Sequence, residues 1–152
     1  MTPNQKAFLS MIGWSEGADY NTIVSGPDGP ETFSDFSDHP FAKGRAAKLV
    51  RPGLYSTASG RYQLLLRFWR AYQPMLRLSD FSPASQDAVA LQQIKERGAL
   101  QDIENGNIRS AIGKCSNIWA SLPGNDYAQG GHSADDLIAQ FNSSLANPPE
   151  IA

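Results

Sequence analysis

A single cysteine, Cys115, stands among 152 residues, so no disulfide can form within the chain. It falls at helical spacing with Ile108, Ile112 and Trp119, which reads as a buried thiol rather than a nucleophile. Only two histidines occur, His39 and His132. They are far apart and lack metal-ligand spacing, so no metal and no cofactor are expected. Charge of one sign is also missing: 13 Lys and Arg against 15 Asp and Glu give a net −2. No global field draws the chain onto nucleic acid. No apolar run is long enough for a bilayer span, which argues against stable membrane insertion. No charged N-terminal segment leads into an apolar one, so no signal peptide is expected and synthesis in the cytosol follows.

What is present is an ordinary globular balance, 41% hydrophobic and 18% charged, enough for one domain over 1–152 with its own core. Thr2-Pro3-Asn4-Gln5 reads as an N-cap, a proline at the first helical position and a capping box. The helix it opens carries Phe8, Met11 and Ile12 on one face and runs to Glu16, where Gly17 stops it. Thr22-Ile23-Val24 and Thr32 to Ser37, around the turn-rich Gly26 to Pro30, suggest a small antiparallel hairpin. From Asp38 a long irregular basic stretch follows, with Lys43, Arg45, Lys48 and Arg51. Tyr62, Leu65, Trp69 and Tyr72 make a helical stripe after Gly60. Ser82-Pro83 opens another helix, whose Ala88-Val89-Ala90-Leu91 is apolar all round and therefore buried. A short helix near Ala99 to Glu104 is expected. Asn107 caps a further helix through Ile108, Ile112, Cys115 and Trp119. A last helix starts at Ser133, with Leu137, Ile138, Phe141 and Leu145. The fold class is α+β, predominantly helical.

Glu16 is the candidate for chemistry. It lies four residues beyond Ile12 and eight beyond Phe8, on the apolar face. Desolvation and the negative end of the helix would both raise its pKa, as a general acid requires. The alternative is a glutamate that rolls sideways into solvent. Glycoside cleavage usually employs a second carboxylate, and Asp35 is the leading candidate, weighed against a turn-capping role. Ser59-Gly60-Arg61-Tyr62-Gln63 forms a second constellation at an expected helix start. Gln63 there could hold a carboxyl group or a sugar amide, or simply face solvent. Trp69 and Trp119 read as core; Trp14 and Tyr127 read as possible sugar platforms.

The stretches QKAFLSMIGWSEG (5–17), FSDFSDHP (33–40), GRYQLL (60–65), DFSPASQDAVALQQIKERGAL (80–100) and KCSNIWASLPG (114–124) resemble the phage lambda-type endolysins. These are peptidoglycan lytic transglycosylases with a lysozyme-like fold. The resemblance implies a small β lobe, a helical lobe and a buried central helix. It implies that Glu16 is the catalytic acid and base, cleaving the β-1,4 bond between N-acetylmuramic acid and N-acetylglucosamine. The product would carry a 1,6-anhydromuramoyl end. Ser34, Asp35, Ser59, Tyr62 and Gln63 are candidate glycan contacts. Lys48 and Arg51 on one lip of the cleft, and Tyr127 on another, would join them. The partner would be peptidoglycan glycan strands, met by a monomer. Release to the wall from the host cytoplasm would depend on a separate membrane-pore protein. T4-type muramidases instead carry Asp nine residues after the glutamate and Thr six further; Ser25 and Glu31 stand there. Asn21 after Tyr20 departs from the lambda pattern, which has Asp. A hydrolytic muramidase of the same fold is the alternative enzyme, and a non-catalytic wall-binding module the alternative of another class.

Overall fold

The computed structural model describes residues 1–124 and 131–148. Ten elements follow in order: α1 Pro3–Glu16, β1 Thr22–Gly26, β2 Gly29–Thr32, β3 Lys48–Arg51, β4 Leu54–Ser56, α2 Leu66–Met75, α3 Pro83–Glu96, α4 Leu100–Glu104, α5 Ile108–Cys115 and α6 Ala134–Ala146. They divide into two compact units. One joins Met1–Gly17 to Ala90–Ala152; the other is Ala18–Val89.

In the first unit, α1 begins as its sequence dictates. Thr2 Oγ1 accepts from the Gln5 N–H and the Gln5 side chain accepts from the Thr2 N–H. This capping box satisfies two donors that a helix start leaves orphaned. Gly17 closes the helix at φ 64°, the left-handed conformation open to glycine at no steric cost. Phe8, Leu9, Met11 and Ile12 are buried along α1. The helix packs against α4 and α6, and α5 packs against both of these. Ile94, Ile103, Ile112, Leu122, Leu137 and Phe141 complete the core. Each large apolar side chain buried here is worth about 1.5–3 kcal/mol. Ser133 caps α6 by accepting from the Asp136 N–H at 3.1 Å.

The helix through Trp119 ends earlier than its stripe implies. Asn107 makes no side-chain cap bond, and α5 stops at Cys115. There Ser116 Oγ donates back to the Gly113 carbonyl at 2.9 Å and the chain tightens into turns; a short hydroxyl competes for the carbonyls a helix would use. Trp119 is buried all the same, and so is Cys115.

The second unit carries two hairpins. β1 pairs antiparallel with β2, Thr22 opposite Thr32 and Gly26 opposite Gly29, with an irregularity between Ile23 and Gly26. The returning strand is therefore Gly29–Thr32, and the Phe33 to Ser37 segment expected as strand is irregular. Asp35 explains this: its carboxylate accepts from the Ser37 N–H at 2.9 Å, an Asx turn that bends the chain out of a ladder. The basic stretch, expected to be irregular throughout, instead contains a hairpin. β3 pairs with β4 across Pro52-Gly53, Lys48 opposite Ser56.

The stripe from Tyr62 is not one helix. Ser59 to Leu64 is a tight turn closed by mutual backbone bonds between Ser59 and Leu64, and α2 begins only at Leu66. Below it sit Leu64, Trp69, Phe81 and Val89, with Phe33, Leu66, Tyr72, Leu76 and Leu78 packed around them. The Trp69 indole donates to Asp38 Oδ1 at 2.9 Å. Along α3, Val89, Ala90 and Ile94 are buried while Ala88 and Leu91 are half-buried, so one stripe rather than the whole circumference faces the core.

Candidate active site

Glu16 ends α1, one turn beyond buried Ile12, and its side chain is partly buried. Burial pushes its carboxyl above the ordinary glutamate value, and a hydrogen bond from Ser121 pulls the other way. Ser121 Oγ donates to Oε1 at 3.1 Å. Ser15 Oγ lies 2.9 Å from Ser121 Oγ. Among the described residues Glu16 has no ion-pair partner that would favour its ionised form. The preceding aromatic, Trp14, is 41% exposed and stacks on His132 with ring centroids 4.0 Å apart. An inward carboxyl, a hydroxyl that fixes one of its oxygens and an exposed aromatic face thus occupy the end of α1. Burial favours the protonated form of such a group, which is the form that can give a proton to a leaving oxygen.

The candidate contacts of the second unit fall into two sets. Ser34 and Asp35 are exposed and line a pocket of about 240 Å³ together with Glu31, Lys43 and Arg45. The Ser37 bonds hold the Asp35 carboxyl below the usual range, so it is a carboxylate at neutral pH. Arg51 is exposed at the end of β3. Lys48 reaches Glu31 at 3.0 Å and Arg45 does so at 2.7 Å. Together they drive the Glu31 carboxyl down to about 2.

The other set faces inward. Ser59 is fully buried, and its hydroxyl donates to the Thr57 carbonyl at 3.1 Å. Tyr62 is buried and donates to Asp87 Oδ1 at 2.6 Å. Both stand in the framework of the turn, away from the solvent that a sugar would displace. Gln63 does not sit in a helical first turn: it takes φ 50° and its amide donates to the Gly60 carbonyl at 2.9 Å. Tyr127 lies outside the described residues. His39 is buried, accepting from the Phe41 N–H at Nδ1. Its proton is therefore on Nε2, which lies 2.9 Å from the Leu64 carbonyl; burial lowers its pKa. Among the described residues no His, Cys, Asp and Glu cluster could hold a metal ion, and no helix is long and apolar enough to cross a membrane.

Sequence reasoning missed Ser15 and Ser121 as neighbours of Glu16, and the stacking of His132 on Trp14. Ser15 and Ser121 stood in the motifs WSEG and ASLPG, but no local pattern joins positions so far apart in the chain.

Comparison with known proteins gives a consistent result. A family model described as Endolysin matches residues 6–147. The endolysin of Escherichia phage lambda is 54% identical over 157 residues, covering 97% of this chain and 94% of that protein. The endolysin of Escherichia phage P2 is 52% identical over 156 residues, covering 95% and 94%. Among solved structures, bacteriophage lambda lysozyme complexed with a chitohexasaccharide matches with a TM-score of 0.86 at 54% identity, over 95% of each chain. A second lambda lysozyme structure matches with a TM-score of 0.83 at 52% identity, again over 95% of each.

Proposed function

The chain belongs to the endolysin family, with the lambda lysozyme fold, and we propose that it is the lytic-transglycosylase kind of peptidoglycan-cleaving enzyme. Its bond is the β-1,4 link from N-acetylmuramic acid to N-acetylglucosamine, and residues 1–152 act as one catalytic domain. The observation that carries this reading is Glu16: a single inward carboxyl with a raised pKa and no charged partner among the described residues.

Protonated Glu16 gives its proton to the glycosidic oxygen as the bond to muramoyl C1 breaks. The carboxylate then takes the proton of the muramoyl C6 hydroxyl, and O6 closes on C1. Glu16 ends in its starting form, no water is consumed, and the product has a 1,6-anhydro ring. Attack within one sugar needs neither a protein nucleophile nor a held water. A second carboxylate is therefore unnecessary, in keeping with an Asp35 occupied by Ser37.

The glycan strand as ligand is supported by the chitohexasaccharide in the lambda relative. As glycan contacts we retain exposed Ser34, Asp35 and Arg51, with Tyr127. Lys48 and Gln63 follow with part of their donor capacity engaged, while Ser59 and Tyr62 support the turn. The enzyme acts on the wall after the membrane is breached by another protein. Mass spectrometry of digested peptidoglycan tests the reaction. Anhydromuramoyl ends are expected; reducing muramic acid ends would make the enzyme a hydrolytic muramidase.

A further inference from the structure

We infer that Ser121 is a positioning residue for Glu16: it fixes Oε1 and so leaves Oε2 as the oxygen that gives and takes the proton. This rests on the acid–base reading of Glu16 above. Ser121 Oγ donates to Oε1 at 3.1 Å. A serine has one O–H to give. With it spent on Glu16, the 2.9 Å contact between Ser15 Oγ and Ser121 Oγ runs from Ser15 to Ser121. The order Ser15 to Ser121 to Glu16 is thereby set. A protonated carboxyl has one hydroxyl and one carbonyl oxygen. The oxygen that accepts from Ser121 is the carbonyl one, so the proton resides on Oε2. When Glu16 is ionised the same bond becomes charge-assisted and stronger.

The charged groups around α1 leave this arrangement alone. On α4, Glu104 accepts from Thr2 Oγ1 at the opposite end of α1, and Asp102 pairs with Lys114. On α6, Asp135 pairs with Arg109, and Asp136 lies in the first turn. Ahead of α6, His132 is stacked on Trp14. On α1 itself Lys6 lies near the N-terminal end. Among the described residues none of these forms an ion pair with Glu16, so Ser121 is the polar side chain acting on it directly.

The test uses the full chain labelled with ¹³C at glutamate carboxyls. Glu16 is identified as the signal missing from Glu16→Gln. In Ser121→Ala the Glu16 titration midpoint should move upward, the pH profile of peptidoglycan cleavage should move with it, and kcat should fall about tenfold at unchanged KM, the loss of one hydrogen bond to a charged group. Ser121→Thr keeps the hydroxyl and should restore all three. An unmoved Glu16 midpoint in natively folded Ser121→Ala overturns the inference, as does a moved midpoint with unchanged kcat. Neither result touches the reading of Glu16 as acid and base. Full activity of Glu16→Gln overturns that reading instead. Should Ser121→Ala not fold, Ser15→Ala carries the same test: a smaller upward shift is expected, and none overturns the inference.

Discussion

Gly60→Ala concentrates several costs at one methyl group. Gly60 holds φ 83°, and an ideal Cβ there would stand 2.3 Å from Gln86 Oε1, 2.8 Å from Gln86 Cδ and 3.2 Å from a Phe81 ring carbon. Gln86 has little room to retreat. It is buried, its Oε1 accepts from the Arg61 N–H at 2.9 Å, and its amide donates to the Tyr20 and Phe81 carbonyls at 3.1 and 3.0 Å. The left-handed backbone costs an alanine about 1–2 kcal/mol. Loss of the three bonds costs roughly 1 kcal/mol each. The expected destabilisation is thus about 4–5 kcal/mol, or a fall in Tm of roughly 8–20 °C for a chain of this length. Urea unfolding followed by tryptophan fluorescence measures it, since Trp69 sits in the same unit. In a Gln86→Ala background the methyl meets only the Phe81 ring edge, and little more than the backbone part, about 1–2 kcal/mol, should remain. A single-mutant cost below about 1 kcal/mol, or equal costs in both backgrounds, would refute the reasoning.

Three further outcomes are expected. Glu16→Gln should lower wall-cleaving activity by about a hundred- to ten-thousand-fold in a turbidity assay. It should also change the pH dependence of stability: because burial raises the folded pKa of Glu16, its contribution is full below about 4.3 and is lost as pH rises through the raised value. Urea midpoints of the parent should therefore fall relative to Glu16→Gln across that interval, and parallel curves would contradict it. Glu31→Gln should cost about 1 kcal/mol at neutral pH and less in high salt, because a half-exposed pair is screened. Since Glu31 is held down at about 2, the difference should fade as pH drops from the ordinary carboxyl value toward 2. Cys115, buried and with its thiol pushed up to about 12, should stay unlabelled by Ellman's reagent until denaturant is added; rapid native labelling would show the core to be open.

Much of the helical framework was legible because its signals are local. Thr2 and Gln5 cap each other within one turn, Gly17 follows α1 at once, and Ser133 caps α6 from the adjacent position. The inward direction of Glu16 was legible for the same reason, since helical spacing to Ile12 and Phe8 fixes its face. The turn at Ser59 to Leu64 was not. Gln63 adopts a left-handed backbone because its own amide and the ladder to Ser59 hold it there, and a helical stripe through Tyr62 gives no warning of that. The hairpin of Lys48 to Ser56 was hidden by basic residues, although Pro52-Gly53 between Leu49-Val50 and Leu54-Tyr55 was the available signal. Ser121 was beyond reach altogether, since a bond across 105 positions leaves no local pattern.

The division of the chain into units has a consequence for synthesis. Residues 18–89 form a continuous segment, whereas the unit around Glu16 is assembled from Met1–Gly17 and Ala90–Ala152. A ribosome delivers α1 first and α4, α6 and Ser121 last. Until then the apolar face of α1 has no partners and the Glu16 carboxyl has neither its burial nor its serine, so it titrates as an ordinary glutamate. The burial that raises the Glu16 pKa is complete only when translation is nearly finished. A nascent chain therefore carries Glu16 without the surroundings that raise its pKa, and these arrive only with the C-terminal part of the chain.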